Sequence, residues 1–125
     1  MNIKKIAASV VATALMTSTL CACGGANADS GKKTIVTTIF PEYDWVMNIL
    51  GDKSDQFDVI LLMDKGTDLH SFQPSVTDLA TIYECDLFIY VGGESDIWAE
   101  DAAAQATNKD MEVLDLLDVL GSSAV

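Results

Sequence analysis

Four short runs rich in β-branched and aromatic residues, separated by three segments of helical period, restrict this chain to very few folds. The runs are KTIVTTIF at 33–40, FDVILLM at 57–63, DLFIYVGG at 86–93 and MEVLDL at 111–116, each the length and composition of a strand. Between the first two, Tyr43, Val46, Met47 and Leu50 fall at i, i+3, i+4 and i+7, one face of a helix. Pro41 sits where a first turn tolerates it and Gly51 where a helix stops. Val76, Leu79, Ala80 and Tyr83 repeat that spacing behind Ser75 and Asp78, which form a capping box with Asp in place of the usual Glu. The third helical segment, SDIWAEDAAAQAT at 95–107, is expected to take Ser95 as its N-cap. Strand, helix, strand, helix, strand, helix, strand predicts right-handed βαβ crossovers and a parallel sheet with helices on both faces. The fold class is therefore α/β, the first half of a doubly wound lobe. The near-continuous apolar run FDVILLM suits a strand buried on both faces. Residues 64–73 carry neither period and are expected to be a loop. The closing LGSSAV offers no stop signal.

The first residues belong to a different class. Lys4 and Lys5 precede an uncharged, mostly apolar stretch at 6–20, too short for the roughly 20 residues that span a bilayer. This is the pattern of an export signal, to be set aside in reasoning about the fold. Leu20-Cys21-Ala22-Cys23 resembles a bacterial lipobox, and small Ala22 before Cys23 makes Cys23 the better acylation site than Cys21. An ordinary signal cut near Ala28 and a Cys21–Cys23 redox pair are the alternatives. The chain divides into a lipoprotein signal at 1–22, a flexible tether at 23–32 and a lobe at 33–125. Cys85 is then the remaining thiol, so no disulfide framework is available.

The chain has no arginine, and its formal net charge of −12 becomes about −14 once Lys4 and Lys5 leave with the signal. Such a surface repels nucleic acid and attracts cations, although solubility alone explains it as well. The single histidine, His70, stands in DKGTDLHSFQPSVTDLA at 64–80, on the loop leaving the second strand. Ligands of open α/β sheets gather at the carboxyl ends of the strands, and Gly92, Gly93 and Glu94 leave the third strand at that same edge. Asp64, Asp68 and His70 offer oxygen and nitrogen donors within a few residues, and a loop can aim an imidazole at a metal. An exposed or loop-bracing histidine is the plainer alternative, with Asp64 and Asp68 as turn residues. Gly92-Gly93 lacks the spacing and the lysine of a phosphate loop. Trp98 reads as a packing anchor and Cys85 as a buried structural thiol. With one histidine and no Gly-x-Ser-x-Gly elbow, no hydrolase is indicated, and the expectation is that the protein is not an enzyme.

The stretch GTDLHSFQPSVTDLATIYECDLFIYVGG followed by SDIWAED resembles the N-terminal lobe of the zinc- and manganese-binding lipoproteins that feed ABC importers. The residues carrying the likeness are Gly66, His70, Ser71, Phe72, Pro74 and Ser75, then Asp86, Leu87, Phe88, Tyr90, Gly92, Gly93 and Trp98, within about residues 33–120. The resemblance implies that His70 is the first ligand to zinc or manganese as transported cargo. The other ligands would come from later in a two-lobed chain, so that Val125 closes only an incomplete N-terminal lobe. It also implies an ABC permease as partner, and an extracytoplasmic protein held by a lipid anchor at the outer face of the cytoplasmic membrane. A surface adhesin using the same lobe without transport is the alternative.

Overall fold

The computed structural model describes residues 31–64 and 66–121. The expected signal at 1–22, the expected acylation site Cys23 and the expected tether up to residue 30 lie outside the described residues. The order of elements is β1 (Lys33–Thr37), α1 (Phe40–Leu50), β2 (Phe57–Leu61), α2 (Val76–Glu84), β3 (Leu87–Tyr90), α3 (Ile97–Ala104), β4 (Glu112–Asp115) and α4 (Leu116–Leu120). Short 3₁₀ turns at Gly51–Gln56, Leu69–Ser71 and Glu94–Asp96 join them. The four strands form one sheet in the order β2-β1-β3-β4, and each neighbouring pair is parallel. The repeated crossovers expected from the sequence are therefore present, with β1 and β3 at the centre.

Side-chain alternation along the central strands builds a core on each face. Val36 is in register with Ile60 and Phe88, and Phe88 with Val113. On this face Val36, Phe88 and Tyr90 pack with Ile82 of α2, with Cys85 just after that helix, and with Ala99 and Ala102 of α3. The neighbouring residues Ile35 and Ile89 point the other way and meet Val46 of α1. The alanines of α3 let that helix lie close to the sheet, while the Phe88 and Tyr90 rings, 5.4 Å apart, fill the space beside it.

Two expectations are corrected. FDVILLM is not fully buried on both faces: β2 is an edge strand, and Phe57–Leu61 is half-buried along its whole length. An apolar run reports the cover a strand receives from helices and from its one neighbour, and does not report its rank in the sheet. Ser95 is not the N-cap of α3. It lies within the Glu94–Asp96 turn, and Asp96 is the residue that precedes the helix. The loop at 64–73 is irregular as expected except for the turn at Leu69–Ser71. Gly51 ends α1 at φ 51°, a left-handed conformation that favours glycine. At the amino edge of the sheet, Asp86 accepts from Lys33 Nζ at 2.6 Å and from the Thr34 amide at 2.8 Å, tying β1 to β3.

Phe88 is fully buried on the central strand, so Phe88→Ala should lower stability by about 3–5 kcal/mol. That is a large share of the about 5–15 kcal/mol by which a domain is stable. Urea denaturation followed by circular dichroism checks it, with Phe88→Leu expected to lose clearly less.

Candidate metal centre

Because the strands are parallel, their carboxyl ends share one edge, and after β2 and β3 the chain leaves that edge through irregular loops and 3₁₀ turns. His70 lies on the turn that follows β2. Asp68 organises it: its Oδ1 accepts from the His70 amide at 2.8 Å, and its carbonyl accepts from the Ser71 amide at 3.1 Å and the Ser71 hydroxyl at 3.2 Å. The same Oδ1 stands 3.3 Å from His70 Nδ1. A carboxylate on one ring nitrogen orients an imidazole and leaves Nε2 as the nitrogen that faces a metal. The His70 side chain is 81 % exposed, so a cation reaches it without rearrangement of the core.

The loop that carries His70 is held from its other side. Phe72 meets Trp98 of α3 in a tilted ring contact with centroids 5.2 Å apart, and the Leu69–Ser71 turn packs beside the Glu94–Asp96 turn. The loop then enters α2 through the capping box anticipated from the sequence. Ser75 Oγ accepts from the Asp78 amide at 3.2 Å, and Asp78 Oδ2 accepts from the Ser75 amide at 2.8 Å. Trp98 is thus a packing anchor for the loop.

The other donors do not assemble around His70. Among the described residues no group of three or more His, Cys, Asp or Glu side chains is placed to hold a metal ion. Asp64 and Glu94 are exposed, and Asp68 is a turn residue that touches the imidazole. Cys85 is buried at the far end of α2, where its Sγ lies 3.6 Å from Met111 Sδ. Burial, reinforced by the negative charge of Asp86, pushes its thiol up to about 12. A pocket of about 390 Å³ lined by Tyr90, Glu100, Val113, Asp115, Asp118 and Val119 opens elsewhere on the surface, and His70 is not part of its lining.

The sequence reading missed two carboxylates at this edge. Glu42 Oε2 accepts from the Thr38 amide at 2.8 Å, the Thr38 hydroxyl at 3.0 Å and the Ile39 amide at 3.2 Å. Asp96 Oδ2 accepts from the amides of Val91 at 3.0 Å and Gly92 at 3.2 Å. Each ties the backbone that leaves a central strand. The available signals were an acid in the first turn after Pro41, and an acid shortly after a Gly-Gly pair. Gly92 is required there: its φ is 90°, and a Cβ on it would come within 2.9 Å of Asp115 Cγ.

The described residues thus form an α/β lobe with an exposed histidine at the carboxyl edge of its parallel sheet. Residues 35–123 match the family model described as ZnuA, zinc-uptake complex component A periplasmic, and the chain belongs to that family. It is 34 % identical over 95 residues to the zinc-binding lipoprotein AdcA of Streptococcus pneumoniae, covering 76 % of this chain and 18 % of that one. The crystal structure of Zn(II)-bound AdcA from the same organism superposes with a TM-score of 0.58 at 29 % identity, over 68 % of this chain and 18 % of that one. The laminin-binding protein Lmb of Streptococcus agalactiae, described as having adhesin and metal-transporting activity, gives a TM-score of 0.54 at 32 % identity. That likeness covers 66 % of this chain and 30 % of Lmb. The chain thus spans between about a sixth and a third of the length of these relatives.

Cys85 should resist alkylation by iodoacetamide at pH 8 in the native chain and react fully in denaturant, because its thiolate is disfavoured by burial. Peptide mass spectrometry at Cys85 measures both rates, and equal rates would contradict the burial described above.

Proposed function

We propose that this chain is the N-terminal lobe of a zinc-binding subunit of an ABC importer, and that His70 is a ligand to the transported ion. It is tethered outside the cell by a lipid on Cys23 and hands zinc to a membrane permease. The observation that carries this reading is the exposed His70, braced by Asp68 and Phe72 on the edge where an α/β sheet binds its ligands. Family membership over residues 35–123 supports it. Zinc is preferred over manganese, because an imidazole suits zinc whereas manganese favours oxygen donors. The acidic surface concentrates divalent ions near the edge without selecting among them.

A closed zinc site takes about four donors in tetrahedral geometry, and His70 with Asp68 supplies at most two. The rest of the site comes from outside the described residues. Cys85 is no substitute. A helix the length of α2 rises about 14 Å along its axis, which separates its two ends by more than one ion can bridge. The transfer step needs no covalent chemistry.

Zinc titrated calorimetrically into the chain should bind with Kd above about 1 μM, weaken as salt is added, and lose affinity when His70 is replaced by Ala. Manganese should bind more weakly than zinc. Zinc binding unchanged in His70→Ala would overturn the assignment of the ligand. For the anchor, mass spectrometry of the membrane fraction should find a diacylglyceryl group on an N-terminal Cys23. A soluble product beginning beyond Cys23 would exclude it.

A further inference from the structure

The turn that carries His70 is bonded largely to itself. Asp68 accepts from the amides of His70 and Ser71, and the Leu69 carbonyl accepts from the Phe72 amide. These bonds give the turn its shape without fixing where it stands on the lobe. Its place at the sheet edge comes from packing: the Leu69–Ser71 turn lies beside the Glu94–Asp96 turn, and Phe72 meets Trp98. Both contacts are supplied by the short segment that runs from the end of β3 into the first turn of α3.

That segment leaves β3 through Gly92 at φ 90° and Gly93 at φ 83°, two successive residues with no side chain to hold them and wide conformational freedom. One side chain closes it. Asp96 is 1 % exposed, and its Oδ2 reaches back past both glycines to accept from the Val91 and Gly92 amides at 3.0 Å and 3.2 Å. Its own amide donates to the Gly93 carbonyl at 3.2 Å. The loop of chain so closed begins at Val91, just beyond β3, and ends at the residue before α3, two positions ahead of Trp98.

We infer that Asp96 is a positioning residue for His70: its carboxyl group fixes the platform against which the His70 turn rests. The imidazole's own polar neighbour is Asp68, so Asp96 acts on His70 through the two packed turns and through Trp98. This inference rests on the reading of His70 as a zinc ligand. A ligand held against a fixed platform surrenders less motion when it takes an ion. An Asp96 that served stability alone would weaken the whole lobe and leave the order of the His70 turn as it was.

¹⁵N relaxation on the metal-free chain and zinc calorimetry on the same variants separate the two roles. In Asp96→Ala the order parameters of His70 and Ser71 should fall together with those of Val91 and Gly92. Zinc affinity should fall by about threefold or more, and in a His70→Ala background the same substitution should leave zinc binding unchanged. Asp96→Asn keeps an acceptor oxygen for both amides and should restore both quantities. Val46→Ala lowers stability from the core on the opposite face of the sheet and should change neither. If Asp96→Ala does not fold, Asp96→Ser takes its place with the same expectations. Order at His70 that persists while Val91 loosens would overturn the inference, and so would an equal loss of order in Val46→Ala. Zinc binding indifferent to His70 in every variant would remove the metal reading alone, and the order parameters would still decide whether Asp96 holds the turn.

Discussion

Parallel pairing is the constraint from which the rest of this lobe follows. A chain that enters each strand from the same side must return along the sheet before it can pair again, so every connection needs length and cover, and the helices provide both. The same geometry sorts the two edges. At the amino edge, Lys33 and Asp86 close the gap between β1 and β3 with an ion pair in reach of solvent. At the carboxyl edge the strands give way to amides that belong to no ladder, and carboxylates collect them: Glu42 after β1, Asp68 after β2, Asp96 after β3 and Asp115 as the last residue of β4. Much of the acidity of this edge is thus the means by which the turns are hydrogen-bonded, and His70 stands among groups that are already occupied.

Those features that depend on neighbours in sequence were legible from it. The helical spacing of Tyr43, Val46 and Leu50, the box formed by Ser75 and Asp78, and the placement of His70 after the second strand all rest on local periods or local bonds. Features set by distant contacts were not legible. β2 has the apolar content of an interior strand, yet pairing places it at the edge. Ser95 has the chemistry of an N-cap, yet the Asp96 carboxyl turns back to the strand end and fixes the turn that contains Ser95. Glu42 was missed although its donors are local: Thr38 and Ile39 lie three to four residues before it, and the apolar Ile39 gives no sign of the cap that the Ser75 hydroxyl announces at α2. The companions of His70 in the proposed site were not legible, because one imidazole in a pattern does not name the donors that would join it.

The bracing of residues 68–72 has a further consequence, one of conformational freedom. A histidine on an untethered loop must surrender backbone and side-chain motion when it grips an ion, and fixing each residue costs about 1–2 kcal/mol at room temperature. Here the Asp68 carboxylate fixes the chain on one side of His70, and the Phe72 ring seated on Trp98 fixes it on the other. Much of that loss is therefore taken when the lobe folds, before any metal arrives. The loop is set to the rigidity of α3, so in the proposed site the Phe72–Trp98 contact would govern how readily His70 ligates, although neither ring carries a donor for the ion.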